Sequence, residues 1–222
     1  MIEVTRPIDI SLRQSTQALL HGRRSVRYYR PDLPPTDVIN RILTSAAMAP
    51  SAHNRQPWRY VVVTDVNNKE CLASVMGASL AAERRRDGDS EQVILQDVTR
   101  SIDRITGAPV LIVVAMTMKD MDTYPDELRE GAEYLMAVQS TAMATQNLLL
   151  AAHAEGLGAC WMCAPLFCPS QVRRVLRLSE DWLPQGLVTV GYPSGKARLK
   201  PRKAISDFVV FTNPRSDQGV RR

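Results

Sequence analysis

Apolar residues recur along this chain with two different periods, that of helices and that of strands. Residues 36–48 place apolar side chains three and four positions apart, which is helical spacing. Residues 58–64 are instead rich in β-branched and aromatic side chains, and residues 109–116 form a continuous apolar run, as in a buried strand. The complete pattern predicts helices over 10–20, 36–48, 126–155 and 169–178, two further helices within 67–107, and strands over 58–64, 109–116, 159–164, 186–192 and 208–211.

This order is not the strict strand–helix alternation of a parallel sheet, so we predict an α+β fold with a mixed sheet flanked by helices. We expect a single domain over residues 1–222, with its core at about 18–211 and a loose polar tail at 212–222. Residues 134–152 are apolar nearly all round the helix, which predicts burial on every side. In a chain of 222 residues, such burial is easiest if a second copy covers one face.

The composition is that of an ordinary globular protein, with 45% hydrophobic and 23% charged residues. No apolar run follows the first methionine, and the long apolar helix contains Glu133, Gln139 and Gln146, so we predict neither a signal peptide nor a membrane span. The pI near 9.2 permits nucleic-acid binding, but no nucleic-acid-binding motif is recognisable. These features predict a cytoplasmic protein that binds neither membranes nor nucleic acid.

The four cysteines, in a chain without an export signal, predict reduced thiols. Cys160 and Cys163 match the C-x-x-C redox motif, but Pro165 follows closely, and no second C-x-x-C completes a zinc site. Small buried hydrophobic side chains are the favoured interpretation over redox chemistry, and no metal site is predicted.

Two windows far apart in the chain hold a concentrated positive charge. Residues 22–30 and 196–203 together contain nine Lys or Arg and no acid, while the whole chain carries +5, so the remainder sums to −4 (5 − 9). Focused cations suit a compact anion such as a phosphate, although two solvated basic loops would give the same pattern.

Two polar constellations are candidates for ligand binding. Arg23, Arg24, Ser25 and Arg27 offer three guanidinium groups and a hydroxyl within five residues. The loop 50–57 carries amide side chains that suit the edge of a heteroaromatic ring, or else form local bonds in a rigid turn. Dinucleotide, P-loop and nucleophile-elbow motifs are absent, which favours a bound organic cofactor with a single phosphate.

Five motifs in a consistent order resemble the FMN-dependent nitroreductase family. They are Arg23-Arg24-Ser25-Val26-Arg27, Ala49-Pro50-Ser51-x-x-Asn54-x-Gln56-Pro57-Trp58, Glu155-Gly156-Leu157-Gly158-Ala159-Cys160-Trp161, Gly191-Tyr192-Pro193 and Lys200-Pro201-Arg202-Lys203. Within this family the chain most resembles the FMN-binding C-terminal domain of the bacterial γ-glutamyl ligase that builds the deazaflavin cofactor, through Tyr124-Pro125-Asp126, Ala132-Glu133 and Asp181-Trp182.

The resemblance implies an intertwined homodimer with two FMN sites at the subunit interface. Pro50, Ser51 and Asn54 would reach the flavin of the partner protomer, and the strand 159–161 would lie near the ring. No catalytic side chain is implied, because flavin N5 carries the chemistry. The implied cofactor-binding residues are Arg23, Arg24, Ser25, Arg27, Pro50, Ser51, Asn54, Gln56, Ala159, Cys160, Trp161, Lys200 and Arg202.

The functional hypothesis is ping-pong hydride transfer from NADH or NADPH, through FMN, to a nitroaromatic, a quinone or an activated alkene. A narrower hypothesis is reduction of a dehydro precursor of the deazaflavin cofactor. A third is a non-catalytic flavin carrier or sensor, and a fourth is oxygen-dependent cleavage of the flavin to a vitamin B12 ligand. The cations of 84–86 would favour an anionic acceptor if they cap the flavin, or would simply be a solvated helix end.

Overall fold

A computed structural model describes residues 10–195 and 201–212 of the chain. It contains helices and strands in the irregular order that the hydrophobic pattern predicts. The helices are α1 (Ile10–Gly22), α2 (Thr36–Ala47), α3 (Val66–Arg86), α4 (Glu91–Thr106), α5 (Glu127–Ala154) and α6 (Pro169–Leu176), and the strands are β1 (Trp58–Val63), β2 (Val110–Met116), β3 (Gly158–Met162) and β4 (Leu183–Gly191).

The strands form one sheet in the order β1-β2-β4-β3, and every neighbouring pair is antiparallel. Strand β2 is buried along its whole length, as its continuous apolar sequence predicts. The sheet was expected to be mixed. In the described part of the chain, the parallel component is an isolated bridge between Ser25 and Ala159, where the segment after α1 runs beside β3.

Helices cover both faces of the sheet, which confirms the α+β class. On one face, Ile42 of α2 and Leu148 of α5 pack against Ile112 and its neighbours. On the other face, Leu72 of α3 and Val172 of α6 belong to a second core cluster with sheet residues of the opposite pleat. The alternation of β2 side chains between the two clusters follows from the two-residue period of a strand.

The strand predicted at 208–211 is wrong. These residues follow a short 3-10 turn, Ile205–Asp207, and pair with no strand. Phe208, Val210 and Phe211 are 67%, 87% and 79% exposed. Strand propensity describes how a residue fits a half-buried sheet, so the segment needs a free sheet edge beside it, and the fold of this chain does not bring one there.

Helix α5 is only partly buried by its own chain. Tyr134, Leu135 and Met143 are 47%, 53% and 42% exposed, so the burial on every side that the sequence predicts is not reached within one chain. Helix α1 contains no buried residue. Among the described residues, no helix is long and apolar enough to cross a membrane.

Candidate functional site

The basic segment that follows α1 lies against β3. Ser25 forms a parallel bridge with Ala159, and the Val26 amide donates to the Ala159 carbonyl at 3.0 Å. This approach depends on Gly158, because a Cβ atom there would lie 2.7 Å from Cβ of Val26. The first predicted motif and the predicted strand residues Ala159 and Cys160 are therefore brought together.

Several arginine side chains lie near Cys160 of β3. The Cys160 thiol is buried, and burial raises its pKa, while the Arg27, Arg104 and Arg23 cations and the nearby Ser25 side chain act in the opposite direction. Three guanidinium groups from two separate elements thus lie within electrostatic reach of one strand residue.

Arg104 is the member of this cluster that sequence reasoning missed. It occupies the last turn of α4, and its Nε atom is buried without a hydrogen-bond partner. A basic residue at a helix C-terminus is common because it complements the helix dipole, so nothing in the local sequence singles it out. This donor is therefore available to an acceptor that the described residues do not supply.

Ion pairing separates the two arginine-rich regions of the protein. At the end of α3, each arginine contacts at least one carboxylate. Arg84 pairs with Asp89 and Asp97, Arg85 pairs with Glu91, and Arg86 pairs with Glu83. In contrast, none of the arginines near β3 forms an ion pair with a described residue; these are Arg23, Arg24, Arg27 and Arg104. The donor set beside β3 therefore suits an external anion, and the set at the end of α3 is already neutralised.

Arg24 differs from its neighbours in how its donors are used. Its guanidinium donates to the carbonyls of His21 and Arg23, the latter at 2.8 Å, and so satisfies acceptors at the end of α1. Arg23 and Arg24 also line a cavity of about 250 Å³ with His153 and Gly158.

The side chain of Trp161 lies on the opposite face of β3 from Cys160. Its ring sits over Gly186 of β4, where a Cβ atom would be 2.4 Å from the ring. The indole N–H donates to Sγ of Cys163 at 3.0 Å. Cys160 is buried inside a strand and Cys163 is exposed, and both are free thiols, so the C-x-x-C sequence does not have the helix-opening geometry of a redox dithiol.

The second predicted motif, the loop 50–57, has a strained backbone and internal hydrogen bonds. His53, Asn54 and Gln56 adopt left-handed φ angles of 47°, 55° and 50°, and each costs on the order of 1–3 kcal/mol. Two hydrogen bonds hold this conformation. The backbone N–H of Gln56 donates to Oγ of Ser51 at 3.0 Å, and the side-chain amide of Gln56 donates to Oδ1 of Asn54 at 3.3 Å. Backbone strain of this kind is concentrated at functional sites.

The two motifs lie at diagonally opposite corners of the sheet. Ser25 is bridged to Ala159 of β3. Through the pairing of β3 with β4 and of β4 with β2, Ala159 aligns with Val110, the first residue of β2, so Ser25 lies at that end of the sheet. The loop 50–57 instead leads into Trp58 of β1, which pairs with Met116 at the other end of β2. With strands about 4.8 Å apart and residues about 3.4 Å apart, the corners are separated by more than about 20 Å.

The third predicted group consists of Lys200 and Arg202. Lys200 lies outside the described residues, as do residues 213–222 of the predicted tail. Arg202 is described and is exposed. Its role in cofactor binding stays a prediction.

Comparison with known proteins places the chain in a family. Residues 20–192 match the model of the nitroreductase family. Two 5,6-dimethylbenzimidazole synthases are similar in sequence: that of Rhodobacter capsulatus is 32% identical over 82% of this chain and 84% of its own, and that of Rhodospirillum rubrum is 28% identical over 83% and 85%. The FMN-dependent nitroreductase of Mycobacterium smegmatis, solved in complex with NADPH, superposes with a TM-score of 0.71 at 24% identity, covering 91% of this chain and 100% of that one.

The chain therefore belongs to the nitroreductase family, which makes it an oxidoreductase. The nitroreductase family and the α+β fold expected from the sequence are both confirmed.

Proposed function

We propose that this protein is an FMN-dependent oxidoreductase that takes hydride from NADH or NADPH and passes it to an organic acceptor. The observation that carries the proposal is the convergence of Arg23, Arg27 and Arg104 with Ser25 on the edge of β3, where none of the arginines has a carboxylate partner among the described residues. A phosphate and the polar edge of a flavin are acceptors that match this donor set.

Each residue of the cluster has a definable task. Arg23, Ser25, Arg27 and Arg104 would hold the phosphate and the N1/C2=O edge, with Lys200 and Arg202 adding cations. FMN, when bound, supplies reversible hydride transfer at N5. A fixed guanidinium near N1 stabilises the negative charge that develops on reduction. At an effective dielectric of about 20, a charge pair at 4 Å is worth roughly 4 kcal/mol before desolvation, so such a cation raises the reduction potential.

The loop 50–57 would act on the flavin of a second copy. It lies too far from Ser25 for one mononucleotide to contact both corners within a chain, so the site is complete only in a homodimer. Helix α5 exposes apolar residues and helix α1 has no buried residue, so both helices offer surface that a partner chain could cover. The left-handed backbone then serves to hold the exposed Asn54 in a fixed geometry.

The acceptor is a nitroaromatic, a quinone or an activated alkene, and the dehydro deazaflavin precursor belongs to the last class. An anionic acceptor gains no support from Arg84, Arg85 and Arg86, since their charges are compensated by neighbouring carboxylates. Selection of the acceptor would therefore depend on the shape of the flavin pocket.

The decisive experiment is anaerobic reduction of the purified protein. We expect flavin bands in the visible spectrum that bleach on addition of NADH or NADPH and return with an acceptor such as a quinone or nitroaromatic. Bands that bleach with neither nicotinamide would contradict hydride transfer and favour a flavin carrier or sensor. A protein that takes up no FMN, even when it is supplied in excess, would overturn the proposal.

A second candidate, flavin cleavage to 5,6-dimethylbenzimidazole, is favoured by the two relatives of that name. The test is to admit oxygen to the reduced protein and to analyse the small molecules by chromatography and mass spectrometry. Formation of 5,6-dimethylbenzimidazole in stoichiometric amount, with loss of FMN, would establish this reaction. Recovery of intact oxidised FMN would support the reductase instead.

A further inference from the structure

Tyr29 connects the basic segment to the centre of the sheet. Its hydroxyl lies 2.5 Å from the carbonyl oxygen of Val26 and 2.7 Å from Oγ1 of Thr189. Thr189 belongs to β4, is 1% exposed and pairs with Cys160 in β3. The hydroxyl therefore bridges the segment that carries the arginines and the strand next to the candidate site.

The hydrogen-bond directions follow from the chemistry of the groups. The Tyr29 hydroxyl has one hydrogen and two carbonyl acceptors within reach, Val26 O at 2.5 Å and Thr189 O at 3.1 Å, so it donates mainly to the nearer Val26 carbonyl and its oxygen accepts from the Thr189 hydroxyl. Burial raises the pKa of Tyr29, so the phenol stays protonated and remains a donor at neutral and mildly alkaline pH.

With this bridge, both backbone polar groups of Val26, its N–H and its carbonyl, are held by hydrogen bonds. The Val26 amide is already fixed by the Ala159 carbonyl at 3.0 Å, and the Tyr29 hydroxyl fixes the carbonyl at the other side of the same residue. The fixed carbonyl belongs to the peptide bond that leads into Arg27. Arg27 is exposed, and among the described residues its guanidinium donates to the Ser25 carbonyl alone, at a long 3.5 Å, so its direction depends on its backbone.

We propose that Tyr29, supported by Thr189, is a positioning residue that aims Arg27 at the bound anion. The inference rests on the proposed function, since it takes FMN as the group that Arg27 faces. The hydroxyl is not required for packing: the ring already belongs to the apolar cluster on that face of the sheet, and a phenylalanine would fill the same space.

A double-mutant cycle between Tyr29 and Arg27 tests this role. Loss of one net hydrogen bond is expected to weaken FMN binding about three- to tenfold in Tyr29→Phe. In an Arg27→Ala background, the same change should have no further effect, because the group that Tyr29 positions is gone. The matched control is Tyr28→Phe, in which the altered hydroxyl belongs to a neighbouring tyrosine that is 68% exposed; it should bind FMN as the wild type does.

A purely structural role predicts a different result. If Tyr29 only stabilises the fold, its substitution should weaken FMN binding by the same factor with or without Arg27, and the additive outcome would overturn the proposal. The reduction potential of bound flavin gives a second measurement, since a displaced cation lowers the potential even when the site is saturated with FMN. An unchanged potential in Tyr29→Phe would also contradict the inference.

Thr189 provides variants that keep the ring of Tyr29 in place. Thr189→Val removes the hydroxyl while conserving shape, and should lower FMN affinity and potential in the same direction as Tyr29→Phe but by less, because the Tyr29 hydroxyl keeps its hydrogen bond to the Val26 carbonyl. Thr189→Ser keeps the hydroxyl and should restore both to wild-type values. Failure of wild-type protein to bind FMN would refute the proposed function itself, whereas normal FMN binding in wild type and in Tyr29→Phe, with weak binding in Arg27→Ala, would refute only the positioning role.

Discussion

At the scale of single residues, Arg27 is the cation whose loss should be felt most directly by the cofactor. It has no ion-pair partner among the described residues, and it lies close enough to Cys160 to influence the pKa of that thiol. A hydrogen bond to a charged group contributes about 1.5–3 kcal/mol, so Arg27→Ala should weaken FMN binding by about ten- to a hundredfold and lower the flavin potential.

Titration with FMN and a spectroelectrochemical measurement check this expectation. Arg85→Ala is the matched control, because Arg85 is also an exposed arginine but is already paired with Glu91. Unchanged FMN affinity and potential in the Arg27 variant would remove Arg27 from the site.

Gly158 shows how one missing side chain positions the basic segment. Its Cβ would lie 2.7 Å from Val26, so Gly158→Ala must push the segment away from β3. Overpacking of this kind costs about 1–3 kcal/mol, and thermal unfolding of the apoprotein should show a lower Tm together with weaker FMN retention. Gly131→Ala is the control: nothing lies within 4 Å of its Cβ position in α5, so Ala should be neutral or stabilising there. Equal Tm values for the two variants would contradict the contact.

At the scale of elements, the end of α3 illustrates that a run of arginines is not by itself a binding site. The carboxylates of Glu83 and Glu91, with Asp89 and Asp97, neutralise Arg84, Arg85 and Arg86. The triple Ala variant should therefore leave the ratio of kcat/KM for an anionic quinone over a neutral quinone unchanged. A selective loss of the anionic substrate would instead show that these cations face the acceptor.

At the scale of the whole molecule, the diagonal placement of the two motifs predicts which chain supplies each half of a site. A heterodimer of one Arg27→Ala chain and one Asn54→Ala chain would hold one intact site and one site with both lesions. With the two chains co-expressed under different tags, the purified heterodimer should retain about half of the wild-type activity, far above either homodimer.

If Arg27 and Asn54 served the same site within a chain, every site in that heterodimer would carry one lesion. Its activity would then equal the mean of the two homodimers. Light scattering on the wild-type protein gives an independent check, and a monomeric holoprotein would contradict the shared site.

Much of the fold was predictable from local sequence. The helix predicted at 36–48 and the strand predicted at 58–64 match α2 and β1 to within one residue at each end, because prolines bound the first and β-branched residues fill the second. The strand predicted at 208–211 failed for the opposite reason, since a strand exists only beside another strand.

For the candidate site too, some features follow from local sequence and others do not. The sequence by itself determined the family, the basic segment at 23–27 and the polar loop at 50–57, because these depend on residue type and short spacing. Only the tertiary structure decided that Arg104 joins the first motif, that Arg84 to Arg86 are neutralised, and that the two motifs occupy opposite corners. These facts depend on which distant elements meet, and pairwise distances across a sheet are set by strand order and register, which no local pattern encodes.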